Sequence, residues 1–289
     1  NSYPAYLVTY HVDAARKKKE EEVRHSSDFD EKLNKIANKH QRKIQPVATG
    51  FVDSGLDFGS YSVKPINKQK IALLSGKGAS SLSFGEIWHF FETELKYPLT
   101  ILNSDYFSKT NFSKYDVIII PNGYYSNVLH KTTLDKLSTF VSAGGTLIVI
   151  GNALNSFADK KGYSIKSKES KKDSTKYNLI PYADQERKNI QNLITGAIFK
   201  SKVDVTHPLA FGYKSDYFSL KLSGTSFNYL ENGINVAYFD KDTENVSGYA
   251  GSRAIKNIPE SLLFGEEPKG RGSIVYMVDN PLFRSFWHN

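Results

Sequence analysis

Cysteine is missing from all 289 residues. Its absence excludes disulfides, thiolate-bound metal and any cysteine nucleophile, and it leaves the compartment open, because exported and cytosolic chains both tolerate a cysteine-free composition. No apolar run reaches the roughly 18 residues that a spanning helix needs, and no signal-like apolar core is present, so no membrane span is expected. Stripes of basic residues interleaved with stacking aromatics, the pattern of single-strand nucleic-acid binders, are lacking too. The net charge is nonetheless +8, a value that raises the question of an anionic partner. Its distribution argues against one. Arg16 to Lys19 run directly into Glu20, Glu21 and Glu22, and the lysines between Lys160 and Lys176 are diluted by Glu169, Asp173 and serines. Mixed-sign runs of this kind mark solvated faces and loops, so no nucleic-acid partner is expected. No internal repeat is visible, which excludes a solenoid.

What is present fits a folded globular chain: 39% hydrophobic and 24% charged residues, with 18 Tyr and 18 Phe. The chain opens on Asn1 rather than Met and closes on Phe286-Trp287-His288-Asn289; rings so near a terminus are read as expecting more chain to pack against, hence a piece of a longer protein.

Along the chain, Val12 to Ser26 reads as an exposed helix supported by pairs such as Lys17 with Glu21. A second helix is predicted from Ser27 or Asp28, with Phe29, Leu33, Ile36, His40 and Ile44 along one face. Pro46 ends that pattern, and Gly50, Gly55 and Gly59 punctuate a linker. Residues 1–66 are therefore a helical arm and linker, and 67–289 an α/β domain. From Lys70 onward short apolar runs alternate with amphipathic stretches, the pattern of βαβ units and a parallel sheet. Strands are predicted at Ile71–Leu74, Leu99–Leu102, Val117–Ile120 and Thr146–Ile150, with helices after Ser83 and over Leu134–Val141. Residues 155–184 lose periodicity and read as a surface insertion. Further strands are expected at Ala197–Val205, Phe227–Tyr229, Asn235–Phe239 and Gly272–Val278, with a tight turn at Asn232-Gly233.

The runs Lys70 to Gly76, Lys114 to Gly123 and Phe140 to Gly151 together resemble the class I glutamine amidotransferase-like superfamily. The resemblance implies a flavodoxin-like parallel sheet with helices on both faces, and a nucleophile elbow after a central strand. An elbow needs a nucleophile on a strained turn beside backbone N–H donors. Here that turn reads Gly151-Asn152-Ala153-Leu154, and neither Asn152 nor Ala153 can form a thioester, so the elbow is vestigial. Glu86 matches a carboxylic acid that some members of the superfamily set facing the nucleophile. Including Gly50 to Asp53 and Thr206 to Gly212, the layout is also similar to the C-terminal accessory region of secreted bacterial zinc carboxypeptidases. That similarity implies a non-catalytic module whose partner is the catalytic domain of the same parent chain. The zinc would belong to that domain, this chain would hold no cofactor, and the location would be periplasmic or extracellular.

Other residues suggest chemistry of their own. His89-Phe90-Phe91-Glu92 fits a His-x-x-Glu zinc pair, with His207 as a third ligand, but it falls within an aromatic amphipathic helix rather than a polar loop. Gly76-Lys77-Gly78-Ala79-Ser80-Ser81 suggests a phosphate cradle yet lacks the P-loop and dinucleotide spacings. A parallel sheet gathers its loops at one edge, so Gly76, Asn122, Gly123, Tyr124, Tyr125, Gly151 and Asn152 are the candidate cleft for a glycan or a peptide. A hydrolase using Asp105, Asp116 or Glu86 is the remaining alternative.

Overall fold

In a computed structural model, the described residues are 27–44, 49–51, 53–57, 60, 68–169 and 179–284, with side chains from residue 31 onward. The expected helix over Val12 to Ser26 and the C-terminal rings lie outside them. Two compact units are present, Asn1–Lys68 and Gln69–Asn289. In the first, α1 spans Ser27–Lys39. Ala37 is buried on it, and Leu33 and Ile36 are exposed.

The second unit is built on a 10-stranded sheet. Its first half contains β1 (Ile71–Ser75), β2 (Leu99–Asn103), β3 (Val117–Ile120) and β4 (Thr146–Ile150). These are joined by β10 (Gly272–Met277), which pairs parallel to β4. The order β2-β1-β3-β4-β10 is that of flavodoxin-like sheets. β1, β3, β4 and β10 are short apolar runs because both of their faces are covered, whereas the edge strand β2 exposes Thr100 and Ile101. Leu73, Ile119 and Ile150 point to one face, with Ile87 of α2 (Ser81–His89). Ala72, Leu74, Ile118, Ile120, Leu147 and Val149 point to the other, with Leu134, Leu137 and Val141 of α4 (Lys131–Ser142). A short α3 (Ser104–Phe107) follows β2. The α/β class with helices on both faces is thus as the sequence predicts.

The sheet is mixed rather than wholly parallel. Beyond β10 the order continues β9-β7-β5-β6, with β8 also paired to β5, all antiparallel. These strands are β5 (Ile194–Val203), β6 (Asp216–Lys221), β7 (Ile234–Phe239), β8 (Asn245–Ala250) and β9 (Ser261–Lys269), and α5 (Tyr182–Gln191) precedes β5. Three of them escape sequence reading for identifiable reasons. β9 carries Gly265, Glu266, Glu267 and Pro268, residues depleted in strands. Its pairing with β7 ends at Ile234 opposite Glu266, so no β7 residue stands beside Pro268 to need the amide hydrogen that proline lacks. Strand β8 is mostly exposed and carries Gly248 at a φ of +81°. In β6 a lysine, Lys221, is buried. The expected strand at Phe227–Tyr229 reduces to one bridge, Phe227 to Ser167.

The helix over 81–89 starts one turn earlier than expected. Ser80, not Ser83, is its cap, its hydroxyl accepting the Ser83 amide. The helix then widens into a π turn over Phe90–Glu94, where the Leu95 amide reaches back to the Phe90 carbonyl. The stretch after Asn155, read as a surface insertion, begins inside the core: Phe157, Ala158, Tyr163 and Ile165 are buried. The buried Glu267 carboxylate accepts both the Ser164 amide and the Tyr276 hydroxyl at 2.7 Å, and the Tyr163 hydroxyl donates to the Leu134 carbonyl at 2.6 Å.

Candidate functional site

Because β1, β3, β4 and β10 run parallel, the loops after Ser75, Ile120, Ile150 and Met277 meet at one edge of the sheet, where open α/β sheets hold their ligands. Of the residues singled out in the sequence, the structure brings Gly76, Asn122, Gly123, Tyr124, Gly151 and Asn152 to this edge. They hold each other. The Asn122 side-chain oxygen accepts the Asn152 amide at 2.8 Å, and the Asn122 carbonyl accepts the Ser80 amide at 2.9 Å. The Asn122 amide donates to the Ser83 hydroxyl, and the Tyr124 amide to the Gly78 carbonyl. A Cβ on Gly123 would lie 2.1 Å from the Gly78 oxygen, so only glycine lets the β1 and β3 loops approach this closely. The crevice at the topological switch point is stitched across, and two amides of the loop after β1, those of Ala79 and Ser80, are bonded to the Gly76 and Asn122 carbonyls.

After β4, Gly151 takes a φ of +62°, and a Cβ there would sit 2.7 Å from the Asn122 side-chain oxygen. Asn152 is held from three sides: by Asn122 at its amide, by the Tyr124 hydroxyl at its side-chain nitrogen, and by the Thr225 hydroxyl at its side-chain oxygen. Ala153 is buried, as is Tyr125, whose hydroxyl donates to the Pro121 carbonyl. Tyr125 is thus a core residue and not part of a cleft, and Ala153 does not project above the sheet. Tyr124 is 75% exposed.

The carboxylates do not converge. Asp116 precedes β3 and so lies at the amino edge, where it accepts the Lys70 amide at 2.7 Å. Asp105 is an exposed partner of Lys77 at 3.4 Å. Glu86 on α2 accepts the side-chain amide of Asn280 at 2.6 Å, and Asn280 in turn accepts the Leu282 amide. Burial pushes the Glu86 carboxyl above its ordinary value of 4.5, against the Asn280 bond and the charge of Arg284. A carboxyl whose folded pKa is raised favours folding below its unfolded value, and that contribution is lost as pH rises through the folded value. Glu86→Gln keeps an acceptor for Asn280 and removes the titration. Its melting temperature relative to the parent is therefore expected to rise between about pH 4 and about pH 7. Thermal melts across that range check this, and a pH-independent difference would refute it.

His89 and Glu92 are exposed on the helix and its π turn. His207 is committed elsewhere: its Nδ1 accepts the Leu209 amide at 3.3 Å, and its Nε2 faces Glu266 at 3.1 Å. Among the described residues no three metal-ligating side chains gather. Sequence reading missed the polar group at the end of β10. Asp279 accepts the Lys221 ammonium at 3.0 Å and the Ser219 hydroxyl at 2.7 Å, and the lysine side chain is 1% exposed. The one available signal was Lys221 alternating with apolar residues in β6.

No family model matches the chain, and no curated protein sequence matches it. Similar solved structures include a GMP synthase subunit from Thermoplasma acidophilum, at 10% identity and a TM-score of 0.47, over 76% of this chain and 88% of that one. Another is a glutamine amidotransferase from Thermotoga maritima, at 6% identity and 0.43, over 74% and 76%. A third is a β-galactosidase from Bacillus circulans sp. alkalophilus, at 12% identity and 0.43. The match covers 74% of this chain and only 29% of that β-galactosidase. At such identities and scores, function has to be argued from the chain's own geometry.

Proposed function

We propose that this chain is a non-catalytic accessory module of the glutamine amidotransferase-like superfamily, serving a larger secreted zinc carboxypeptidase whose catalytic domain lies outside these residues. The observation that carries the non-catalytic reading is Asn152. It stands, with Ala153, on the turn where the resemblance sets a nucleophile; its amide and side chain are engaged by Asn122, Tyr124 and Thr225, and its carbonyl by Asn155. A group so bound serves to tie three loops together, and a carboxamide offers no nucleophilic atom comparable to a thiolate. The carboxypeptidase partner rests on the sequence resemblance, and with it a periplasmic or extracellular location. The exposed ring of Tyr124, its hydroxyl fixed by Asn152, favours a second reading as a glycan- or peptide-binding module.

Elemental analysis for zinc, coupled to release of C-terminal amino acids from a mixed peptide panel, tests the proposal. Neither stoichiometric zinc nor release is expected, and the same preparation is then offered glycans and peptides. One zinc per chain, lost together with activity in His89→Ala and Glu92→Ala, would make this chain the peptidase and sink the accessory reading.

A further inference from the structure

Beside the loop after β10, a cavity of about 200 Å³ lies against the antiparallel half of the sheet. Its walls are mostly apolar, including Val236 of β7, Leu263 of β9 and Met277 of β10, with Ala210 of the short helical turn Pro208–Ala210. His207 pins that turn through its bonds to Leu209 and Glu266, so the wall is fixed in place. Tyr213 and Tyr217 line the cavity with their rings edge to face, 5.6 Å apart.

The polar groups on the lining are few. Ser219 and Asp279 are joined at 2.7 Å, and Asp279 is also paired with the buried Lys221. Each carboxylate oxygen receives one protein donor and keeps a lone pair for another. The Tyr217 hydroxyl makes no hydrogen bond among the described residues. Burial, with Tyr213 and Asp279 nearby, pushes its pKa up to about 12, so it stays a neutral donor and acceptor. This combination selects by charge. A second cation at Asp279 would meet Lys221, and an anion would meet Asp279 itself, whereas a hydroxyl can donate to the carboxylate and accept from Tyr217. The space is adequate for a single ring with a short substituent, since an apolar cavity of about 150 Å³ already binds benzene.

We propose that the cavity is a binding site for a compact, uncharged aromatic alcohol, its ring against Val236, Leu263 and Met277 and its hydroxyl between Asp279 and Tyr217. The site is independent of the accessory reading: it takes Asp279 from the loop after β10 and uses none of Asn122, Tyr124 and Asn152, which stitch the edge.

The test is titration of the full chain with p-cresol, followed by calorimetry and by shifts of tyrosine ring resonances. Toluene, benzoate and benzylamine are run in parallel. Saturable binding of p-cresol is expected, with toluene about tenfold weaker for want of its hydroxyl, and both charged compounds weaker still. Tyr217→Phe should weaken p-cresol about fivefold and leave toluene unchanged. Ala210→Phe should fill the cavity and abolish binding of both. Should Ala210→Phe fail to fold, the Tyr217→Phe comparison still decides. Equal affinity for toluene, p-cresol binding untouched by Tyr217→Phe, or no saturation by on the order of 10 mM p-cresol overturns the proposal.

Discussion

Phe157→Ala is expected to lower folding stability by about 3–5 kcal/mol, the range for truncating a fully buried phenylalanine. For a chain of this size each kcal/mol moves the melting temperature by roughly 2–4 °C, so the midpoint should fall by roughly 6–20 °C. The sequence around Phe157 gives no hint of such a cost, since the residue opens a stretch rich in Lys, Ser and Gly. In the structure its ring is buried and meets Tyr163 edge to face at 5.0 Å. It belongs to the same core as Leu134, Val149 and Tyr276. The segment cannot collapse freely into the space left behind, because it is fixed before the gap by the Phe157 and Ala158 amides on the Leu154 carbonyl, and after it at 162–164. Ser164 is bonded to Glu267, the Tyr163 hydroxyl to Leu134, and the Lys269 ammonium to the Gly162 carbonyl. Residual cavity volume is what makes such substitutions expensive. Denaturant unfolding measures the change, and a loss below about 1 kcal/mol, the level of a surface change, would show the segment to be peripheral.

Lys221→Met carries an effect of similar size for a different reason. It leaves Asp279, whose side chain is 11% exposed, with the Ser219 hydroxyl as its one side-chain donor among the described residues. Removing one partner of a buried ion pair costs about 3–5 kcal/mol, chiefly through the uncompensated charge that stays behind. The ammonium also lies 5.5 Å from the Phe239 ring centre, and the methionine retains most of that packing, so the loss reads the charge rather than the volume. Combining Lys221→Met with Asp279→Asn removes the orphaned charge while keeping an acceptor for Ser219, and should recover most of the stability. The two changes are then strongly non-additive, which a double-mutant cycle measures directly. Additivity within about 0.5 kcal/mol would mean that the pair contributes nothing as a pair.

The parallel half of this protein was legible because each of its strands reports its own environment. Ile71 to Leu74, Val117 to Ile120 and Thr146 to Ile150 are buried on both faces, so each reads as an uninterrupted apolar run. Gly144 and Gly145 closing α4 and the loop glycines mark where those runs stop. The absence of cysteine settled that no thiol acts at the turn after β4. Those features follow from local composition, and the sequence determined them alone.

The antiparallel half and the polar groups within it were decided by tertiary structure. Glu267 is tolerable inside β9 only because Tyr276 and Ser164 arrive to donate to it, and Glu266 because His207 does. Lys221 is tolerable inside β6 only because Asp279 returns beside it. Each of these partners lies at least nine residues away along the chain, and most lie far more, beyond the reach of any periodicity. The same holds for the stitched edge. Asn122 and Asn152 look in sequence like free amides at a cleft, and only the close approach of the loops through Gly123 and Gly151 turns them toward each other. A buried polar side chain is read as a defect or a ligand-seeking group until its partner is placed, because its cost or benefit is set by that partner rather than by its neighbours in the chain.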